Sequence, residues 1–99
     1  MDIIGYIRNE LPRRIISYLL EHYSRTFNEI VEYTDKAPST ISWHLKRLKD
    51  ASIVSLHYCM QHQVYKLTNS EVVAETFYKY KDRIADNILD NYTQIIESF

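Results

Sequence analysis

The stretch PSTISWHLKRL, residues 38–48, carries the side chains whose types and spacing best suit a chemical task. On a helix of about 100° per residue, Ile41, Leu45 and Leu48 share one face, while hydroxyl, indole and cationic side chains share the other. Hydroxyls and cations contact phosphates and base edges, and an indole offers a flat apolar surface to sugars or a thymine methyl. The pattern predicts a nucleic-acid surface; the alternative is an ordinary solvated face on which Trp43 plugs a protein interface.

A second group of reactive side chains, His57, Cys59 and His62, has the spacing H-x-C-x-x-H. On a strand, residues 57 and 59 would face the same side, but three ligands without the usual paired spacings indicate a zinc or copper site only weakly. Nucleophilic catalysis would need Cys59 or a serine beside a histidine and an orienting acid in a pocket, and no Gly-rich loop provides such a frame. We therefore expect no enzyme activity, no cofactor and no metal site.

The charge of the chain is unevenly distributed, although its formal net value is only −1. Residues 36–69 carry five Lys and Arg residues against one acidic residue, whereas acidic residues outnumber basic ones in 1–35 and in 70–99. A basic middle segment between acidic flanks is the distribution expected of a small nucleic-acid footprint.

Length and composition favour one ordered, helix-rich domain: 99 residues, 45% hydrophobic, with one Gly and two Pro. The single cysteine makes no intramolecular disulfide, no stretch approaches the roughly 20 apolar residues of a membrane span, and no segment has the layout of a signal peptide. We expect a soluble, cytoplasmic protein with no membrane partner.

Apolar periodicity and capping patterns predict the helices of the first half of the chain. A short apolar helix at 3–8 precedes a helix at 10–23. Thr26-Phe27-Asn28-Glu29 has the spacing of a capping box, which opens a helix that ends near Thr34. After a tight turn, Pro38 opens a second helix that runs to about Ala51.

The second half of the chain predicts a hairpin followed by a long helix. The β-prone runs 53–58 and 63–67 are separated by four residues with a weak turn signal. Thr68-Asn69-Ser70-Glu71 is a second capping-box pattern, and the uninterrupted segment after it predicts a helix over 70–97, about 42 Å long. Because a 99-residue domain cannot cover an apolar stripe of that length, we expect its distal part to pack on a second copy of the chain.

The segment KAPSTISWHLKRLKDASIVSLHY, followed by VYKLT, resembles the ArsR-type and related MarR-like winged helix-turn-helix regulators. The recognition helix of those proteins typically reads Ser-x-Thr/Ser-Val/Ile-Ser-x-His-Leu-x-x-Leu, and the resemblance covers about residues 10–70. The matching positions are Ser39, Thr40, Ile41, Ser42, His44, Leu45 and Leu48. The resemblance implies a mostly α fold with a small β-hairpin (α+β), in which a winged helix-turn-helix is followed by a long dimerisation helix.

Three departures from the family pattern affect the interpretation. Asp35 stands where the family commonly has Gly, and Ala37 stands where it has a capping Ser or Thr, so we expect a less stable turn. The helix of residues 26–34 reads TFNEIVEYT and lacks the Cys-x-Cys sequence of the metal-sensing members, which excludes metal sensing at that site by ligand count.

The resemblance implies a homodimeric repressor that binds double-stranded DNA and inserts helix 38–51 into the major groove. Residues 1–69 would form the DNA-binding domain and 70–99 the dimerisation helix, within one compact unit. His44 sits at a border of the helix and could either reach a phosphate or pack in the core. The expected DNA contacts are Ser39, Thr40, Ser42, Trp43, His44, Lys46, Arg47 and Lys66, and the expected dimer contacts are Phe77, Tyr80, Ile84, Ile88, Tyr92 and Ile95.

The alternative is a winged-helix protein-interaction module in which Trp43 and the basic face dock on another protein. The low net charge and a wing poor in arginine favour this alternative modestly. The sequence identifies no small-molecule effector.

Overall fold

A computed structural model describes residues 3–80, which fold into five helices and one small antiparallel sheet. Residues 70–80 are helical and form α5. The other elements are α1 (Ile3–Ile7), α2 (Glu10–Glu21), β1 (Arg25–Thr26), α3 (Phe27–Thr34), α4 (Pro38–Asp50), β2 (Val54–Cys59) and β3 (His62–Leu67). The expected α+β architecture is therefore confirmed; the part of the predicted last helix beyond residue 80 lies outside the described residues.

The capping box predicted at the start of α3 is confirmed. The Thr26 hydroxyl accepts a hydrogen bond from the backbone N–H of Glu29 at 3.2 Å, and the Glu29 carboxylate accepts one from the N–H of Thr26 at 2.9 Å. Both bonds satisfy amides that a helix start leaves without a partner. The start of the helix-turn-helix is fixed by these two side chains.

The turn between α3 and α4 contains Asp35 and Ala37, the two residues that depart from the family pattern. Asp35 adopts a left-handed conformation, φ 55° and ψ 36°, and its N–H donates to the Val31 carbonyl. Ala37 makes no side-chain cap, and Pro38 follows it in the first turn of α4, where a missing N–H costs nothing. Thr34 is fully buried, and its hydroxyl donates to the Ile30 carbonyl at 2.9 Å.

The sheet differs from the predicted two-stranded hairpin in two ways. A third strand, β1, pairs with β3, with Arg25 opposite Tyr65, so the strand order is β1-β3-β2. The predicted four-residue connection is wrong: Cys59 pairs with His62, and only Met60 and Gln61 form the turn. Both turn residues have positive φ, 49° and 70°, as a two-residue type I′ hairpin requires even without Gly or Asn.

The cap of α5 also differs from the prediction. Asn69, not Thr68, precedes the first helical residue, and its side-chain oxygen accepts a hydrogen bond from the N–H of Val72 at 3.3 Å. The third position of the helix is thus occupied by Val72 and not by Glu71, so the predicted capping box is wrong, although a capping residue is present.

One hydrophobic core joins the helices to the start of strand β2. Every helix contributes aliphatic or aromatic side chains to it, and the face of α4 predicted to be buried is almost inaccessible to solvent. The buried members are Ile3, Ile7, Ile15, Ile16, Leu19, Ile30, Ile41, Leu45, Leu48, Ile53, Val54, Val73 and Phe77. Within residues 3–80, no helix is long and apolar enough to cross a membrane.

Candidate nucleic-acid interface

Helix α4 is held on the body of the protein by three side chains and turns its other side to solvent. Ile41, Leu45 and Leu48 are 0–1% exposed and pack against the core. The helix ends at Asp50, where the N–H groups of Ala51 and Ser52 donate to the carbonyls of the last turn. Its orientation is therefore fixed by burial on one face, and side chains on the opposite face are free to contact a ligand.

The outer face of α4 carries the polar residues expected to bind DNA. Hydroxyls occupy its first turns, an indole its centre and cations its second half. Ser39, Thr40, Ser42, Trp43, Lys46 and Arg47 are all exposed. No acidic residue occurs in this helix before Asp50, so the face is a continuous donor surface over more than two turns.

Trp43 and Arg47 form a contact pair at the centre of this face. The guanidinium carbon of Arg47 lies 4.6 Å from the Trp43 ring centroid, within range of a cation–π interaction. Trp43 nevertheless stays 54% exposed, and His44 meets its ring edge-on at 4.8 Å. The pair therefore presents one flat, cationic surface to solvent.

His44 is half-buried and lies between the packed and the polar faces of α4. Burial, and after it the positive charge of Arg47, lowers the pKa of His44 below its ordinary value. Because this shift favours the neutral imidazole, His44 is a hydrogen-bonding group at neutral pH and becomes a cation only on acidification.

Lys66 lies in a different setting from the α4 residues. It is half-buried on β3, its Nζ donates to the Tyr23 hydroxyl at 3.2 Å, and it lies 4.5 Å from the Tyr23 ring centroid. Tyr23 follows the end of α2, so this contact joins the base of the wing to the end of that helix. The structure brings the other seven expected DNA-contact residues together on α4 and leaves Lys66 apart.

The wing carries no Lys or Arg in either strand other than Lys66. Tyr58 and Met60 at its tip are 74% and 91% exposed, and the Gln63 amide donates to the Tyr58 hydroxyl at 2.9 Å. Lys66 is thus the one Lys or Arg of the wing strands, and α4 carries most of the cationic residues of the candidate interface.

The three side chains of the H-x-C-x-x-H pattern are spread along the hairpin. Cys59 lies opposite His62 in the strand register, whereas the His57 ring nitrogen lies 2.8 Å from the Ser55 hydroxyl. Across residues 3–80, no group of three His, Cys, Asp or Glu side chains could hold a metal ion.

An open cleft beside α4 was not apparent from the sequence. It encloses about 530 Å³ between the polar edge of α4 and the corner where α1 meets α2. The residues that line it, here called the corner cleft, are Gly5, Tyr6, Asn9, Leu11, Pro12, Trp43, His44 and Arg47. Because more than 30 positions separate its two walls, no local pattern links Tyr6 or Asn9 to Trp43.

Only two of the six residues expected at a dimer interface lie among the described ones. Phe77 is 8% exposed and belongs to the core of the single chain, and Tyr80 packs against that core. Ile84, Ile88, Tyr92 and Ile95 lie outside the described residues. Phe77 thus already has a structural role within one chain.

Comparison with known proteins relates the central segment of the chain to one family. Residues 12–55, which include α3, the turn and α4, match the profile of the bacterial regulatory proteins of the arsR family. No curated protein matches the chain in sequence.

Several solved structures share the fold. Rv0081 of Mycobacterium tuberculosis superposes with a TM-score of 0.77 at 18% identity, over 91% of this chain and 89% of that one. The homodimeric winged helix-turn-helix DNA-binding domain of Mb0332 from Mycobacterium bovis gives 0.72 at 24% identity, over 90% and 80%. The antimony-specific transcriptional repressor AntR gives 0.71 at 16% identity, over 88% and 78%.

The family match and the fold agree on the same part of the molecule. The matched segment contains the capped helix α3, the left-handed turn at Asp35 and the exposed helix α4. The winged arrangement around it is that of the fold neighbours. Residues 12–55 are therefore similar to the bacterial regulatory proteins of the arsR family, and the chain has the winged helix-turn-helix fold of its solved neighbours.

Proposed function

We propose that the chain is a homodimeric repressor that inserts α4 into the major groove of double-stranded DNA. The observation that carries this proposal is the exposed outer face of α4, where three hydroxyls, one indole and two cations occur without an intervening carboxylate. A helix fits the width of the major groove, and cations neutralise the phosphates on its sides.

The side chains of α4 have different roles in this proposal according to their chemistry. Lys46 and Arg47 neutralise phosphates or donate to a guanine, while the hydroxyls of Ser39, Thr40 and Ser42 bond phosphates and base edges. Trp43 covers a sugar or a thymine methyl. His44 supports the edge of this surface, and Lys66 supplies one backbone contact from the base of the wing.

The homodimer and the repressor role are supported by the fold neighbours. The Mb0332 domain is described as homodimeric and AntR as a transcriptional repressor. In this chain, residues 1–69 would bind DNA and 70–99 would join two copies. Two α4 helices would then enter successive major grooves, about 34–36 Å apart, at a roughly palindromic operator that overlaps a promoter.

The experiment that tests DNA binding uses the single tryptophan. Mixed-sequence duplex DNA is titrated into the protein at two low salt concentrations while Trp43 fluorescence is followed. We expect a saturable change in fluorescence. The logarithm of the DNA association constant should fall linearly with the logarithm of the salt concentration, with a slope of about −0.9 for each neutralised phosphate.

Paired variants connect that signal to α4. The double substitution Lys46→Ala and Arg47→Ala should abolish binding, whereas Lys79→Ala should not, because Lys79 lies on α5 and pairs with Glu75 at 3.0 Å. Unchanged affinity in the double variant would contradict the docking of α4. A saturable interaction with another protein and no response to DNA would instead support the protein-interaction module.

A further inference from the structure

We propose that Trp43 and Arg47 act as one unit that reads two neighbouring base pairs, a guanine through Arg47 and a thymine methyl group through Trp43. The proposal rests on the docking of α4 in the major groove proposed above, and it gives that surface a sequence preference. It also separates the two cations of the outer face, because it assigns Arg47 to a base and leaves Lys46 to the phosphates.

The Trp43 side chain is held from two sides. The Arg47 guanidinium carbon lies over its ring, 4.6 Å from the centroid, and the His44 ring meets it edge-on with an interplanar angle of 84°. Arg47 is one helical turn further along α4, where residues i and i+4 lie side by side. The indole is nevertheless 54% exposed. A flat apolar surface of fixed orientation therefore remains open to DNA.

The Arg47 guanidinium has donors that no acceptor of the domain occupies. Within residues 3–80, it makes no ion pair and no hydrogen bond with another residue. Its contact with the indole covers one face of the guanidinium plane and leaves the N–H groups at the edge of that plane. Because these donors form a planar fork, an arginine can bind the O6 and N7 atoms of one guanine together.

The position of this pair on α4 favours base edges over phosphates. The helix packs inward through Ile41, Leu45 and Leu48, and Trp43 lies opposite them at the centre of the outer face. The centre of a helix in the major groove meets the base edges, whereas its flanks meet the phosphates of the groove walls. The guanidinium that lies over the Trp43 ring is therefore carried to the base edges.

Lys46 is placed differently from Arg47. It is exposed beside Trp43, and no aromatic ring within residues 3–80 lies under its ammonium group. A lysine ammonium is a compact charge on a flexible chain and lacks the planar fork of a guanidinium. Lys46 therefore suits a phosphate, and its contribution to affinity should be the same for every DNA sequence.

The distance within the Trp43–Arg47 pair is close to the spacing of stacked base pairs. A guanidinium that binds guanine through two hydrogen bonds lies in the plane of that base, so the indole, at 4.6 Å, lies to one side of this plane. Successive bases are about 3.4 Å apart along a DNA strand, which puts the indole near the level of the next base pair. The apolar group that a base pair presents in the major groove is the C5-methyl of thymine. The pair thus favours a guanine whose neighbouring base pair is A·T.

The first experiment selects, from randomised duplexes, those that the full chain retains, and measures the affinity for a retained duplex by the anisotropy of a fluorescein label. Each guanine is replaced singly by 7-deazaguanine, which lacks N7, and each thymine by deoxyuridine, which lacks the methyl group. We expect one guanine in each half-site whose replacement weakens binding about tenfold. A thymine in a neighbouring base pair should cost about threefold when replaced. Insensitivity to either replacement, or sensitive positions that are not neighbours, would overturn the proposal.

Substitutions in α4 connect each base to its side chain. Arg47→Lys keeps the charge but loses the fork, so 7-deazaguanine should no longer weaken binding. Trp43→Ala removes the apolar surface, so deoxyuridine should no longer weaken binding. Lys46→Ala is the matched control, because it should weaken binding to every duplex by a common factor and leave both base effects unchanged. A base effect that persists in the corresponding variant would overturn the assignment.

The outcomes distinguish failure of this inference from failure of the function on which it rests. If the chain retains no duplex, DNA binding itself fails and the base assignment is overturned with it. If duplexes are retained and Lys46→Ala weakens their binding, but neither replaced base matters, α4 binds DNA and the Trp43–Arg47 pair does not read base pairs.

Discussion

The Arg25 guanidinium lies 2.7 Å from the Glu29 carboxylate, and the same carboxylate accepts the backbone N–H of Thr26. The Glu29 side chain thus connects β1 to the first turn of α3. Arg25 also lies 2.6 Å from a ring nitrogen of His22 and 5.6 Å from the Tyr18 ring centroid. The end of α2, the edge strand of the sheet and the start of the helix-turn-helix therefore meet at this pair.

Removal of the Glu29 carboxylate should destabilise the fold. Glu29→Ala deletes one half of the capping box and leaves the Thr26 N–H without its partner, so we expect a loss of about 1 kcal/mol in the free energy of unfolding. Glu32→Ala, an exposed change on the same helix, is the control and should have a much smaller effect. Urea unfolding measures both; equal losses would argue against the capping role.

The contribution of Glu29 should depend on pH. The hydrogen bond from the Thr26 backbone, followed by those from the Thr26 hydroxyl and Arg25, lowers the pKa of Glu29 below its ordinary value, against a smaller opposing effect of burial. A carboxylate with a lowered folded-state pKa adds stability above its unfolded-state pKa and loses it as the pH falls through the folded-state value.

The stability difference between the wild type and Glu29→Gln should therefore be largest near neutral pH and shrink under acid. Urea unfolding of both proteins over a pH series from about 7 to 3 measures this difference. A difference that stays constant across the series would show that the charge of Glu29 is not what stabilises the fold.

Acidification should strengthen the affinity of α4 for DNA through His44. Because burial and Arg47 lower the pKa of His44, its imidazole is neutral at pH 7 and gains charge only as the pH falls through the lowered value. A nearby phosphate favours the charged form, so DNA affinity should rise a few-fold between about pH 7.5 and 5.5. His44→Gln should lose this rise; an identical pH response in the variant would exclude His44 as its source.

Acidification should also lower the stability of the fold through His44. A histidine whose folded-state pKa is lowered adds stability above its unfolded-state pKa and loses it as the pH falls below that value. Thermal unfolding without DNA should therefore show the wild type losing more stability than His44→Gln between about pH 7.5 and 5.5. If the variant loses as much, another group accounts for the change.

The turn of the wing should be open to stabilisation. Met60 and Gln61 both hold positive φ, which costs non-glycine residues of this kind about 1 kcal/mol each. Met60→Asn combined with Gln61→Gly supplies the residue types that a type I′ turn favours, and we expect a gain of about 1 kcal/mol in the free energy of unfolding. A urea midpoint at or below that of the wild type would contradict this expectation.

Most of the helix-turn-helix was predictable because its signals are local. The capping box of Thr26 and Glu29, the proline at residue 38 and the spacing of Ile41, Leu45 and Leu48 each fall within a few residues of the feature that they produce. The outer face of α4 follows from the same spacing, since whatever does not pack inward is exposed.

The features that the sequence analysis missed depend on distant partners. Strand β1 is two residues long and exists because Arg25 pairs with Tyr65, 40 positions away. The corner cleft likewise joins Tyr6 to Trp43. The two-residue turn was missed for a different reason, since Met60 and Gln61 are held there by strand pairing against their own backbone preference.

The single glycine of the chain lies in α1, whereas every positive-φ residue from 3 to 80 is another type: Asp35, Ser52, Met60 and Gln61. Each of these residues is held in its conformation by the elements that it connects. We therefore expect the hairpin to close after the helices have packed, so that the wing is the last part of residues 3–80 to form and the first to open.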